Sequence, residues 1–342
     1  MTDFGLQAHV DYLYANGPRQ LAFRAQTPDE FALWQTALRQ QVAQWLGFAG
    51  RALPQTIRAE RLQAIDRGAY VEEKYALDVG EPVPAPMYVL VPKNPPPYKP
   101  ILVFHGHNPS VQYILGNYPD EATAQQWRAV DNNYAQALAE TGYLVCAVEQ
   151  RGFGERMTGQ QLSVEEGLWN SCRHLSFEYL MQGRTLLGER VWDGRVALSY
   201  VQSRPDVVPG VMGCTGNSGG GTTTLWLSAL DERVTVAVPS CYFCSFKHSI
   251  LGMRHCECNY VPHVLQYAEM GDLAALIAPR PSRAIAGEHD PIYPLEGTRQ
   301  QFETVRRAYA LLDAEDRCSL AVHPGEHAYN IAFSREWFGQ WL

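Results

Sequence analysis

Short, unbroken apolar runs alternate with stretches of helical period along most of the chain. Ile101-Leu102-Val103-Phe104 is one such run, residues 143–148 form the next, and Val211-Met212 lead into a glycine-rich turn. Residues 234–238, 283–287 and 319–323 continue the series. A run without polar positions marks a strand covered on both faces, as in a parallel sheet. Helical period fills the gaps at 129–140 (closed by Gly142), 183–203, 295–312 and the carboxyl end. Residues 28–47 predict an amphipathic helix, with Thr27-Pro28-Asp29-Glu30 supplying an N-cap, a first-turn proline and acids, and Gly47 the stop. Residues 56–93 suggest hairpins, with strands at 70–75 and 87–91, and the proline clusters at 82–86 and 95–97 read as turns flanking strands. Strands alternating with helices predict an α/β architecture, a mostly parallel, doubly wound sheet whose active site gathers at the carboxyl ends of its strands.

The chain has 342 residues, 46% hydrophobic and 19% charged, enough for one large domain over 1–342 with a helical N-terminal extension at 1–55. Its formal charge of −8 argues against a nucleic-acid partner, which needs a basic surface. No run approaches the ~18 apolar residues of a membrane span, and the first residues lack the basic region of a secretory signal. Eight scattered cysteines fit a reducing compartment, so a cytoplasmic location is expected.

Gly216-Asn217-Ser218-Gly219-Gly220 sits between a short apolar run and a helix-like segment. Gly-x-Ser-x-Gly in that context is a nucleophile elbow. The serine must occupy a turn so sharp that side chains two positions before and after it would collide, so both positions need glycine. The bare pattern occurs by accident in about one chain in ten of this length, so an acid and a base in the right order must decide. Downstream, the run 283–287 exits into Glu288-His289-Asp290-Pro291, and 319–323 exits into Pro324-Gly325-Glu326-His327. Asp290 is the candidate acid with Glu288 as rival; His327 is the candidate base with His323 as rival. Serine, then acid, then histidine, each beyond its own strand, is the order of the α/β-hydrolases.

A serine hydroxyl is a poor nucleophile at neutral pH, so His327 would take its proton during attack on a carbonyl, and Asp290 would orient and stabilise the imidazole. The oxyanion needs two donors: Gly219 N–H at the helix start and, from the loop after 101–104, His107 N–H.

These pieces together resemble an α/β-hydrolase of the dienelactone-hydrolase-like and acetyl xylan esterase-like branch. The matching segments are FHGHN at 104–108, EQRGFGE at 149–155, GNSGGG at 216–221, APRP at 278–281, AGEHDPIYP at 286–294 and PGEHAYN at 324–330. The resemblance implies Ser218 as nucleophile, Asp290 as acid, His327 as base and His107 as an oxyanion donor. Where the family often has Asp, this chain has Glu149, a difference that concerns loop anchoring. The expected activity is hydrolysis of small carboxylic esters, short-acyl and first of all acetyl, through an acyl-enzyme and without a cofactor. An amidase or peptidase using the same triad, or a non-catalytic binding protein of this fold, are the alternatives.

Residues 154–181 and 241–271 are long enough to act as lid and pocket segments. Trp169, Tyr179, Tyr242, Phe243, Phe246 and Tyr260 are candidate pocket residues, with core packing as the plainer reading. Arg151 and Arg184 read as structural ion pairs. Cys241-x-x-Cys244 with Cys256-x-Cys258 could make a zinc site, but the second pair has only one intervening residue, so pocket thiols and no metal are expected. No P-loop, dinucleotide fingerprint or HExxH motif is present.

Overall fold

The structure, a computed structural model, describes residues 4–48, 50–158 and 169–342. Nine strands form one sheet in the order β1-β2-β3-β5-β4-β6-β7-β8-β9. Here β1 is Ala59–Asp66, β2 Tyr70–Leu77, β3 Ala85–Pro92, β4 Pro100–Phe104, β5 Leu144–Val148, β6 Gly213–Asn217, β7 Val236–Ser240, β8 Ser282–Gly287 and β9 Cys318–His323. The first three pair antiparallel with one another and onto β5, as the hairpin pattern of 56–93 predicts, and β4 to β9 run parallel. The fold is that of an α/β-hydrolase. No described helix is long and apolar enough to cross a membrane.

The unbroken apolar runs are explained by two cores, one on each face. Successive side chains of a strand point to opposite faces, so Leu102 and Phe104 of β4 enter the larger core while Ile101 and Val103 enter the smaller one. The larger core is closed by the helices Leu186–Ser203 and Gly219–Leu230; the smaller is closed by Tyr134–Glu140 and Ile331–Trp341.

The N-terminal segment shares the larger core. Its helix Pro28–Trp45 starts at Thr27, whose side chain accepts the Glu30 N–H, and buries Phe31, Leu38 and Val42. Polar bonds tie it down as well: Gln35 Nε2 donates to the carbonyls of Leu276 and Ala278 at 3.0 and 2.9 Å, and Phe23 N–H donates to Asp272 at 2.8 Å.

The helix expected over 129–140 is shorter, Tyr134–Glu140, and a separate helix, Glu121–Arg128, precedes it. Asp131 separates them with a φ of 56°, and its carboxylate accepts the Ile331 N–H at 2.9 Å, so the break serves the start of the last helix. Arg151 and Arg184 lie in ion pairs. Arg151 grips Asp193 with two bonds of 2.9 Å and also meets Glu189 at 2.9 Å, and Arg184 reaches Glu81 and Glu189 at 3.3 Å each. Burial opposes the charge of Asp193, but Arg156 and Arg151 outweigh it and hold its carboxyl below the usual range.

Candidate active site

Ser218 joins β6 to the helix Gly219–Leu230 with φ 56° and ψ −120°, a conformation costing a non-glycine residue about 1–3 kcal/mol. Its N–H donates to Ser240 O at 2.9 Å and its carbonyl accepts the Thr222 N–H at 2.9 Å, so bonds on both sides hold the strained turn. The glycines around it are required by backbone contact. A Cβ on Gly216 would stand 2.6 Å from Gly220 C, and one on Gly220 would stand 2.0 Å from Phe104 O. The helix begins without a side-chain cap from Ser218, which leaves its first N–H groups directed at the space above the elbow.

The turn after β4 lies directly on this elbow. A Cβ on Gly106 would meet Asn217 O at 2.9 Å and Ser218 Cβ at 3.3 Å, so only glycine permits the approach. The His107 ring rests on Gly219, its Nδ1 and Cε1 each 3.0 Å from where a Cβ would be, and its edge meets Phe153 at 5.3 Å. Glu149 anchors the same loop by accepting the Val111 N–H at 2.9 Å. The longer acid therefore serves the loop-anchoring task expected of that position.

Asp290, in the loop after β8, and His327, in the loop after β9, form a direct pair: His327 Nδ1 donates to Asp290 Oδ2 at 2.8 Å. The other carboxylate oxygen accepts the N–H groups of Ile292 and Tyr293 at 2.8 and 3.1 Å. Burial opposes ionisation of Asp290. The bond and charge of His327, with those two N–H groups, outweigh it and hold the carboxyl below its ordinary range. The rivals are placed otherwise. Glu288 is exposed, while His323 is buried and engaged with Ala328 O at 3.1 Å and the Gly325 N–H at 3.2 Å.

Ser218 N–H bonds to Ser240, and the thiol of the following residue, Cys241, lies within 4.8 Å of both the Asp290 carboxylate and the His327 ring nitrogen. No direct hydrogen bond joins Ser218 to His327 among the described residues; such bonds often tighten only with substrate in place. With Nδ1 bonded to aspartate, Nε2 of His327 is the basic nitrogen.

Two further residues frame the pair, neither singled out from sequence. Tyr293 stacks on the His327 ring at 5.7 Å, and His255 meets Tyr293 edge-on at 5.5 Å. His255 Nδ1 accepts from Cys256 N–H at 3.0 Å and from Asn259 Nδ2 at 3.1 Å, which places its proton on Nε2. That Nε2 is buried and unpartnered among the described residues. Burial pushes this imidazole down to about 4, so the ring is neutral at pH 7.

A cleft of about 1000 Å³ is lined by Phe246, Ile250, His255, Asn259 and Tyr260, by Phe177 of the helix Cys172–Met181 and by residues between 10 and 19. Ser218 is not among its lining residues; Asn259 connects the two by accepting from Thr222 Oγ1 at 2.9 Å. Tyr260 and Phe246 thus wall the cleft. Tyr242 and Phe243 are core residues instead: Tyr242 is fully buried with its hydroxyl accepting from Trp226 Nε1 at 2.9 Å, and Phe243 packs in the larger core. Trp169 is 58% exposed and does not line the cleft, and Tyr179 is held by Arg151 at 3.1 Å. Of the segment 154–181, expected as a lid, residues 159–168 lie outside the described residues. Cys241 and Cys244 point away from Cys256 and Cys258, toward the carbonyls of Ala328 at 3.1 Å and Pro294 at 3.4 Å.

Residues 10–332 match the sequence profile of the Abhydrolase family. Among curated proteins, the "Putative hydrolase YtaP" of Bacillus subtilis (strain 168) is 29% identical over 284 residues, covering 82% of this chain and 89% of that one. A "putative acetyl xylan esterase" from Bacteroides fragilis NCTC 9343 superposes with a TM-score of 0.78 at 19% identity, over 94% of this chain and 83% of that one. A glucuronoyl esterase from Solibacter usitatus gives a TM-score of 0.64 at 15% identity, over 94% and 96% of the two chains. At those identities the structural likeness establishes the fold.

Proposed function

The chain belongs to the Abhydrolase family, and from that premise we propose that it hydrolyses small carboxylic esters, acetyl esters foremost, through an acyl-enzyme on Ser218. The observation that carries this reading is the 2.8 Å His327–Asp290 pair, built from the loops after β8 and β9 of the sheet whose β6 ends in a serine held on a positive-φ elbow. His327 Nε2 takes the proton of Ser218 Oγ as that oxygen attacks the ester carbonyl. The tetrahedral oxyanion is met by the N–H groups of Gly219 and His107, each worth about 3 kcal/mol in such a role. Collapse of the intermediate breaks the bond to the alcohol, which leaves with the proton returned by His327. Water, deprotonated by the same imidazole, then releases the acid and restores the serine. The neighbours bearing esterase names support ester over amide chemistry.

Initial rates on p-nitrophenyl acetate, butyrate and octanoate, with the matching acetanilide as an amide, test the reading. The acetate is expected to be hydrolysed fastest and the anilide at least a hundredfold more slowly. Fastest turnover of octanoate would overturn the short-acyl assignment, and preference for the anilide would overturn the ester assignment.

A further inference from the structure

The loops that frame the elbow bring together four soft ligands from three distant parts of the chain. His107 follows β4, Cys172 opens the helix Cys172–Met181, and Cys256 and Cys258 lie in the segment between β7 and β8. One ligand atom from each lies within 4.8 Å of all the others. Cys256 Sγ and Cys258 Sγ are 3.1 Å apart, and Cys258 Sγ is 3.4 Å from His107 Nε2. Tetrahedral zinc with bonds of about 2.3 Å to sulfur and about 2.0 Å to nitrogen separates its ligand atoms by roughly 3.5–3.8 Å. The cluster needs only small shifts to reach that shape.

We propose that His107, Cys172, Cys256 and Cys258 bind one structural zinc ion. Three thiolates, a neutral imidazole and a divalent ion carry a net charge of −1, and the surroundings supply the counter-charge. Arg190 is buried on the helix Leu186–Ser203 and makes no ion pair with a carboxylate among the described residues. It donates instead to Arg151 O at 3.0 and 2.7 Å and to Cys172 Sγ at 3.1 Å. A buried guanidinium without a carboxylate requires another anion, and the thiolates are the groups in reach. Asn259 Nδ2 adds a longer contact to Cys258 Sγ at 3.6 Å. Phe153, Leu175 and Leu186 enclose the cluster in a small apolar core. N–H donors to the sulfurs and a dry shell are what thiolate-rich metal sites use to fix and tune their ligands. Three sulfurs and one nitrogen favour zinc over the harder divalent cations.

All four positions are filled by protein, so the ion is structural and takes no part in the hydrolysis. It ties the start of the lid helix and the 255–260 wall of the cleft to His107, whose ring lies against Gly219. The ion thereby fastens the loop expected to carry one oxyanion donor. This site differs from the one the cysteine spacing suggests, because Cys241 and Cys244 are replaced by His107 and Cys172.

The test is elemental analysis of the full chain, expressed with added zinc and purified under reducing conditions without chelator. About one zinc per chain is expected, falling at least tenfold in Cys256→Ser and Cys258→Ser and unchanged in Cys244→Ser. Cobalt titration of the metal-stripped wild type removes any dependence on the folding of the variants. Intense thiolate-to-cobalt charge transfer saturating at one equivalent is expected, and zinc-edge absorption of the protein as purified should show three sulfur neighbours and one nitrogen. Absence of both zinc and the cobalt band would overturn the proposal. So would equal loss of zinc from Cys244→Ser, or a thiol count under denaturing conditions two short of the eight cysteines, which would mark a disulfide in the cluster. None of these readouts depends on ester hydrolysis.

Discussion

Ser218→Ala is expected to lower turnover of p-nitrophenyl acetate by about 10⁶-fold, since losing the nucleophile of such a triad removes nearly everything beyond binding and the oxyanion hole. The fold should survive, because the hydroxyl accepts no helix-capping bond. The backbone adds a second, opposite expectation. At φ 56° and ψ −120° any side chain is strained, and glycine is not. Ser218→Gly should therefore be as inactive as Ser218→Ala yet more stable than it by about 1 kcal/mol, the relief of strain exceeding the added freedom of the unfolded chain. Rates at substrate saturation and denaturant midpoints on the three proteins check both halves. An alanine variant with more than a hundredth of wild-type turnover would remove Ser218 from the mechanism, and a glycine variant less stable than alanine would show that the turn is not strained.

Asp290→Asn has the next largest expected effect, a loss of about 10⁴ in kcat with little change in KM. Asparagine can hold the place but can donate as well as accept, so it permits the wrong tautomer of His327 and cannot stabilise the imidazolium. Glu288→Gln should leave kcat within about twofold, as Glu288 is exposed. The same pair contributes to stability. Because the Asp290 carboxyl is held below its ordinary range in the fold, its contribution is present above the unfolded value of about 3.9 and is lost as pH falls through the folded value. The stability difference between wild type and Asp290→Asn should accordingly shrink as pH drops below about 4. If Glu288→Gln produced the large loss of kcat instead, the acid would be misassigned.

The parallel strands were the most legible part of the chain, because burial on both faces leaves no polar position to blur them. All five residues of β4, β5 and β7 are buried. The elbow was legible for a similarly physical reason: Gly216 and Gly220 are demanded by backbone atoms at 2.6 and 2.0 Å, which no other residue could accept. Strand order left Asp290 and Glu288 equal, since both follow β8; the resemblance chose Asp290, and the Asp290–His327 contact favours it. Edge strand β1 was harder, since none of its eight residues is buried: six are exposed and two half-buried, and it pairs on one side with β2. The pocket was the least legible. Whether an aromatic after β7 faces core or cleft depends on how the loop runs, and Tyr242 and Phe243 differ from Phe246 in nothing that periodicity reveals. His255 shows no signal until its Nδ1 partners are seen. The cysteine cluster was half visible: Cys256-x-Cys258 stood out, but Cys172 and His107 lie 84 and 149 residues upstream of Cys256 and are joined to it only by the topology of the sheet.

The central claim is that Ser218 is an activated nucleophile, and covalent capture tests it most directly. The full chain is treated with diisopropyl fluorophosphate, its intact mass is measured, and the modified peptide is sequenced. One phosphoryl adduct per chain on Ser218, formed within minutes and absent from Ser218→Ala, is the result predicted here. No adduct on the folded protein, or an adduct of equal yield in Ser218→Ala, would contradict it.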